Sequence, residues 1–224
     1  MLVEIEGLLQ PAQLNKIDQI LTKANFVDGR LTAGKAASRV KNNQELQGEP
    51  QQMELLIRIL TSAMGQNATF RSAVLPYRMA DPIFARYQPG MTYGDHVDDP
   101  LMGLSGQRFR SDVSMTIFLR EPETYEGGEL VVRTTFGEKR VKLKAGSAVI
   151  YPSSSLHHVA EVTKGERLVA LAWIQSYVRD PAQRELLYEL DLAREDLLEQ
   201  APEKSTTGLV DKSYANLLRM WSDV

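Results

Sequence analysis

The three histidines of the chain fall in two short stretches, Tyr93-Gly94-Asp95-His96-Val97-Asp98-Asp99 and Ser155-Leu156-His157-His158-Val159. There is no cysteine, so thiolate metal sites, disulfides and thiol nucleophiles are excluded, and any metal must be held by His, Asp or Glu. On an extended backbone residues i and i+2 project to the same side, so His96 and Asp98 can offer a nitrogen and an oxygen to one ion. The third ligand would be His157 or His158, distant in the chain but only a few strands away in an antiparallel β core. Two imidazoles and one carboxylate leave half of an octahedral sphere open, a set that suits non-haem Fe(II) oxygen chemistry. The bland alternative is a polar loop in which Asp95, Asp98 and Asp99 are solvated or cap a turn, with the His pair at a strand edge.

Helices and strands must bring the two stretches together. Leu14, Ile17, Ile20, Leu21 and Ala24 recur at helical spacing, which predicts an amphipathic helix from Pro11 to Phe26. A second apolar stripe, Met53, Leu56, Ile57, Leu60 and Ala63, predicts a helix from about Pro50 to Met64 that Gly65 ends. Gly29 to Glu49 between them reads as a polar loop. From Ile83 the texture changes to β-branched and aromatic runs: Ile83 to Tyr87, Val113 to Leu119, Glu129 to Thr135, Val141 to Leu143, Ala148 to Tyr151, His157 to Val162 and Leu168 to Val178. Phe136-Gly137-Glu138 and Thr163-Lys164-Gly165-Glu166 look like hairpin turns, so neighbouring strands should pair antiparallel. Gly127-Gly128 reads as punctuation before a strand, and Ser153 to Ser155 as a turn. Helix returns after Asp180 with a leucine stripe, Arg184 to Glu199 forming a solvated charged face until Ala201-Pro202, and a last short helix covers Tyr214 to Trp221.

These elements predict an α+β protein: a β core flanked by N-terminal and C-terminal helices. Its 224 residues are enough to bury a sizeable core, and 26 Lys and Arg against 29 Asp and Glu give a formal charge of -3. With a pI near 5.7 and no basic stripe, nucleic acid is not an expected partner. The N-terminus Met-Leu-Val-Glu-Ile-Glu has acid where a signal peptide needs base, and no long apolar run occurs, so the expectation is a soluble, cytoplasmic protein without a membrane partner.

A longer pattern surrounds the second stretch: His157, Val159, Val162, Gly165 and Arg167 form His-x-Val-x-x-Val-x-x-Gly-x-Arg. With Ala85-Arg86-Tyr87, Pro89-Gly90, Tyr93-Gly94, Asp112-Val113-Ser114, Tyr125-Glu126-Gly127-Gly128-Glu129-Leu130, Tyr151-Pro152-Ser153-Ser154-Ser155-Leu156-His157 and Trp173 to Asp180, the chain resembles the Fe(II)- and 2-oxoglutarate-dependent dioxygenases of the prolyl 4-hydroxylase type. Within them it is similar to the bacterial PKHD-type hydroxylases, PiuC-like proteins included, over nearly its whole length. The resemblance implies a double-stranded β-helix, or jelly-roll, core. It also implies His96, Asp98 and His157 as iron ligands, Arg167 as anchor for the far carboxylate of 2-oxoglutarate, and Tyr87 as a hydroxyl that helps hold this cosubstrate. Tyr87 as plain core packing is the competing role, Asp99 is not a ligand, and His158 should face away from His157 on the strand. Residues 1–178, with a β core at about 83–178, would form the dioxygenase domain, and 179–224 a helical extension packed on it. Implied chemistry is hydroxylation of an unidentified peptide residue or small molecule by O2, with release of succinate and CO2 and with L-ascorbate as the reductant that rescues iron. An idle iron or 2-oxoglutarate sensor, or an interaction module on the same fold, is the alternative, and a homo-oligomer is left open.

Overall fold

The computed structural model describes residues 1–35, 37–103 and 106–223. Among them run β1 (Val3–Ile5), β2 (Asn25–Asp28), β3 (Lys41–Asn42), β4 (Gln44–Gln47), β5 (Pro76–Met79), β6 (Ile83–Tyr87), β7 (Thr92–His96), β8 (Leu101–Met102) and β9 (Phe109–Arg110). They are followed by β10 (Val113–Phe118), β11 (Glu126–Gly127), β12 (Leu130–Thr134), β13 (Gly137–Val141), β14 (Ala148–Pro152), β15 (His157–Val159), β16 (Val162–Lys164) and β17 (Arg167–Ser176). The helices are α1 (Pro11–Leu21), α2 (Pro50–Gln66), α3 (Ala68–Val74), α4 (Pro181–Gln200) and α5 (Ser205–Trp221). The larger sheet has the order β1-β14-β10-β17-β6-β4-β2, with β5 also paired to β17, and the smaller has the order β13-β12-β15-β7-β3.

Period-two alternation decides which layer each side chain joins. Leu168, Ala170, Ala172 and Ile174 of β17 and Val113, Met115 and Ile117 of β10 point to one side, where Ile17 of α1, Leu56 and Leu60 of α2 and Phe70 of α3 cover them. The alternate residues turn the other way: Val169 of β17, Phe118 of β10, Tyr151 of β14 and Tyr87 of β6 meet Leu130, Val132 and Val159 from the smaller sheet. Two antiparallel sheets thus face each other, with helices on the outer side of the larger one. This is the α+β protein expected from the strand texture, with the jelly-roll core that the resemblance implies.

Several boundaries differ from the sequence reading, each for a physical reason. Helix α1 ends at Leu21, because Phe26 belongs to β2 and pairs with Leu46 of β4. Helix α2 runs through Gly65 to Gln66, and Asn67 ends it while capping α3 through its side chain, which accepts from the Phe70 N–H at 2.8 Å. The segment read as a polar loop contains β3 and β4, whose inward side chains Lys41 and Glu45 are polar. The turn Thr163 to Glu166 joins no hairpin: β16 pairs with β11, whereas β17 pairs with β10, β6 and β5. The turn before Gly137 does close one, between β12 and β13, where Thr134 lies opposite Gly137. That pairing draws the expected Val141 to Leu143 strand back to Gly137–Val141. The expected strand His157 to Val162 is broken into β15 and β16, and the last helix starts earlier, at Ser205.

The C-terminal helices seat Leu187, Tyr214, Leu217, Leu218 and Trp221 against Leu75 and Val178. Their anchor is a residue expected in solvent. Arg184 is buried, and its guanidinium donates to the carbonyls of Val178 at 2.7 Å, Arg179 at 2.9 Å and Asp112 at 3.3 Å. These acceptors lie at the end of β17 and the start of β10, so one side chain ties α4 to the sheet. Arg184→Ala leaves three carbonyls short of their donors and is expected to cost about 3 kcal/mol. A lowered urea midpoint with an unchanged slope would show it, and an unchanged midpoint would remove Arg184 from this role.

Candidate active site

Strand β7 ends at His96, with Asp98 two residues beyond, and β15 begins at His157, which lies directly opposite His96. The resulting convergence is close. One ligand atom from each of His96, Asp98 and His157 lies within 4.8 Å of the others, and Nε2 of each imidazole stands 3.9 Å from Asp98 Oδ1. The arrangement also fixes the tautomers. His96 Nδ1 is 2.8 Å from the Gly94 carbonyl and His157 Nδ1 is 3.0 Å from the Ser155 carbonyl; a carbonyl only accepts, so both Nδ1 atoms carry a proton and both Nε2 atoms face the common point. Burial and the neighbouring His157 pull the His96 imidazole down to about 4, so it is the neutral, ligating form near pH 7. Tyr93 stacks on His96 with ring centroids 3.6 Å apart and planes 10° from parallel, and Tyr151 meets His157 edge-on at 5.1 Å.

The carboxylate is oriented from behind by two buried serines that the sequence reading did not single out for chemistry. Ser114 donates to Asp98 Oδ2 at 2.5 Å, and its hydroxyl lies 2.7 Å from Ser153 Oγ. Oδ2 is thereby occupied while Oδ1 faces the two imidazoles, which favours one-oxygen ligation. Ser114 is legible only afterwards, as an inward position of β10 flanked by Val113 and Met115 on the opposite face. Ser114→Ala is expected to weaken metal binding about 10- to 100-fold, the usual effect of removing the partner of a ligand, as read by competition with a chelator.

Other polar residues near the cluster face elsewhere. His158 turns to the opposite side of β15, where Nδ1 lies 3.1 Å from Asp95 Oδ1, and Arg133 donates to Asp95 Oδ2 at 2.6 Å. Asp99 is exposed and stands outside the three-residue cluster.

A second set of groups lies deeper in the same cavity. Arg167 opens β17 opposite Tyr87 of β6, and both side chains are 1% exposed. The guanidinium stands 4.8 Å from the Tyr87 ring and 5.8 Å from that of Phe118, while its Nε and Nη1 have no hydrogen-bond partner among the described residues. A buried, donor-only group with two unspent N–H directions fits a carboxylate. Room for it comes from Gly128: at φ +68°, a Cβ there would stand 3.0 Å from Arg167 Cδ and 2.9 Å from Val162 Cγ2. The glycine pair thus does more than punctuate a strand. Burial pushes the phenols of Tyr87 and Tyr151 upward, so both stay protonated near pH 7. One continuous lining holds His96, Asp98, His157, Tyr87 and Arg167, and a wider opening of about 240 Å³ leads outward past Asp81, Val97, Met102 and Trp173.

Comparison with known proteins places this geometry. The 2OG-Fe(II) oxygenase superfamily model matches residues 82–175, and the model of the PKHD-type hydroxylase C-terminal domain matches residues 181–223. A PKHD-type hydroxylase of Thioalkalivibrio sulfidiphilus is 52% identical over 224 residues, and one of Synechococcus elongatus is 46% identical over 223, each alignment covering 100% of both chains. The chain belongs to the PKHD-type hydroxylases. As a member of that family it is a 2-oxoglutarate-dependent dioxygenase that uses Fe(II) and O2, and the idle-sensor and interaction-module readings give way. Solved structures share the fold at low identity. A Trichoplax adhaerens prolyl hydroxylase has a TM-score of 0.60 at 16% identity, covering 83% of this chain and 86% of its own. The viral collagen prolyl hydroxylase of Paramecium Bursaria Chlorella virus-1 has 0.53 at 20%, covering 78% and 96%. The residues present fit both partners of the family: N, O and N donors for ferrous iron, and the unpartnered Arg167 for a dicarboxylate.

Proposed function

We propose that this PKHD-type hydroxylase holds Fe(II) on His96 Nε2, Asp98 Oδ1 and His157 Nε2, and takes the far carboxylate of 2-oxoglutarate on Arg167 and the Tyr87 hydroxyl. The reaction is hydroxylation of a peptide residue or a small molecule, with 2-oxoglutarate converted to succinate and CO2. One observation carries this reading: the three ligand atoms and the unpartnered guanidinium open into the same cavity. Once bound, iron and 2-oxoglutarate supply the electrons that activate O2. The protein's own residues hold two imidazoles by Nδ1 so that Nε2 faces the common point, turn one carboxylate oxygen forward, and line the interior with protonated phenols and aliphatic walls. Primary substrate enters through the opening beside Trp173, and L-ascorbate is the reductant that restores ferrous iron. Residues 1–178 act as the dioxygenase domain, with 179–224 as a helical brace, and the enzyme works in the cytoplasm without a nucleic-acid or membrane partner. Among the described residues no helix is long and apolar enough to cross a membrane.

Anaerobic titration tests the assignment. Adding 2-oxoglutarate to the Fe(II) protein is expected to produce the visible charge-transfer band of the chelate, and admitting O2 to bleach it and release succinate. A wild-type protein that binds Fe(II) and 2-oxoglutarate separately without the band, or an Asp98→Ala variant that keeps it, overturns the proposed ligand set.

A further inference from the structure

We infer that Asn43 is a positioning residue for cosubstrate binding: it orients the Tyr87 hydroxyl so that the phenolic proton points at the carboxylate held by Arg167. The inference rests on the cosubstrate reading above and adds to it a residue from outside the stretch matched by the oxygenase model, 82–175.

Asn43 lies where the chain crosses between sheets, after β3, which pairs with β7, and before β4, which pairs with β6. It is 3% exposed and lines the same cavity as Arg167. Its Nδ2 donates to Tyr87 Oη at 3.0 Å. A phenol has one proton, and its oxygen accepts as well. Here the oxygen accepts from Asn43, the Arg167 guanidinium beside it can only donate, and the two oxygens of the Glu45 carboxylate accept from Lys41 and Thr32 instead. Among the described hydrogen bonds the Tyr87 proton therefore has no acceptor in the protein. With Arg167 Nε and Nη1 it makes three unspent donors in one buried place, a match for a single carboxylate.

The orientation of the carboxamide decides this. Were Oδ1 turned to Tyr87, the phenol would donate to Asn43 and present only lone pairs to an incoming anion. Gly29 makes room for this orientation. Its N–H donates to the Asn43 backbone carbonyl at 3.0 Å, which fixes the main chain beneath the side chain, and a Cβ at Gly29 would stand 2.0 Å from Asn43 Oδ1. Oδ1 thus packs on the bare α-carbon, with no hydrogen-bond partner among the described residues, while Nδ2 donates to Tyr87. The glycine is needed for this close approach, since its backbone is not in the left-handed region.

A double-mutant cycle tests the inference, with the 2-oxoglutarate dissociation constant read anaerobically from the chelate band of the Fe(II) enzyme. Tyr87→Phe and Asn43→Ala are each expected to weaken 2-oxoglutarate about 5- to 10-fold, the size of one hydrogen bond, with Fe(II) affinity unchanged. The double variant should be no weaker than Tyr87→Phe, because Asn43 acts only through the hydroxyl that this change removes. Asn43→Asp, which can accept the phenolic proton and adds negative charge, should lose more than Asn43→Ala. If the Asn43→Ala loss persists in full in the Tyr87→Phe background, Asn43 acts through packing and the inference fails, while the cosubstrate reading survives. If Tyr87→Phe leaves affinity unchanged, both the inference and the role of Tyr87 fail; Arg167→Leu, measured alongside, then shows whether the anchor itself stands. Gly29→Ala, which displaces the carboxamide without deleting it, carries the same cycle and the same two outcomes if Asn43→Ala does not fold.

Discussion

His157→Ala is expected to remain folded and to lose Fe(II) binding, the chelate band and succinate formation together, whereas His158→Ala keeps all three. The pair is informative because adjacent residues on one strand face opposite ways. His157 Nε2 stands 3.9 Å from Asp98 Oδ1 in the three-residue cluster, while His158 sits behind the sheet with Asp95. Loss of one of the three proposed protein ligands should exceed the roughly 100-fold at the upper end of what removing a ligand's partner costs. Folding survives because, among the described residues, the His157 side chain makes a single hydrogen bond, to the Ser155 carbonyl two residues away, so the substitution strands no distant group. Its cost is that of a small buried cavity, on the order of 2 kcal/mol. Asp98→Ala should behave as His157→Ala does. Chelator competition gives the affinity and circular dichroism the fold. Retention of tight Fe(II) binding by His157→Ala, or its loss in His158→Ala, would falsify the ligand assignment.

The contrast between these two histidines also shows which parts of the molecule could be read from residue order. Strands β6, β10, β14 and β17 bury apolar side chains, so β-branched runs announce them, and their inward positions follow from period two. The candidate metal cluster is legible for a different reason: with only three histidines in the chain, His-x-Asp on an extended backbone and a second His on a neighbouring strand leave few arrangements. Strands β3 and β4 were not legible, because the alternation there runs through Lys41, Asn43 and Glu45, all buried and polar. Lys41 Nζ meets Glu45 Oε1 at 2.5 Å, and Thr32 donates to Glu45 Oε2 at 2.6 Å, so partners distributed over a dozen residues satisfy what hydropathy marks as solvent-facing. Arg184 escaped for a related reason: its acceptors are backbone carbonyls, which no side-chain pattern reveals. The ends of α1 and α2 differ from the apolar stripe and Gly65 because pairing of β2 with β4 and the shared cap Asn67 outweigh these local signals.

Arg167→Leu should move two measurements in opposite directions. In protein prepared without metal or cosubstrate, the guanidinium is a buried charge whose Nε and Nη1 find no partner among the described residues. The Tyr87 and Phe118 faces compensate by about 0.5–2 kcal/mol each, less than the several kcal/mol that burying the charge costs. An apolar side chain of similar reach is therefore expected to stabilise the metal-free protein, by about 1–3 kcal/mol, seen as a higher urea midpoint. Binding suffers the reverse effect. Two charge-assisted hydrogen bonds to a desolvated carboxylate, at about 1.5–3 kcal/mol each, weaken 2-oxoglutarate some hundred-fold or more when lost. Arg167→Lys should recover only part, since a point charge replaces the planar fork and the stacking between Tyr87 and Phe118 disappears. Thermal melts with and without 2-oxoglutarate on the Fe(II) enzyme separate the two effects: at a hundred times its dissociation constant the cosubstrate should stabilise wild type by about 2.7 kcal/mol, and the same concentration should barely shift Arg167→Leu. A variant that is less stable without ligands yet still responds to 2-oxoglutarate like wild type would make Arg167 a structural residue and return the anchor's role to some other donor in the cavity.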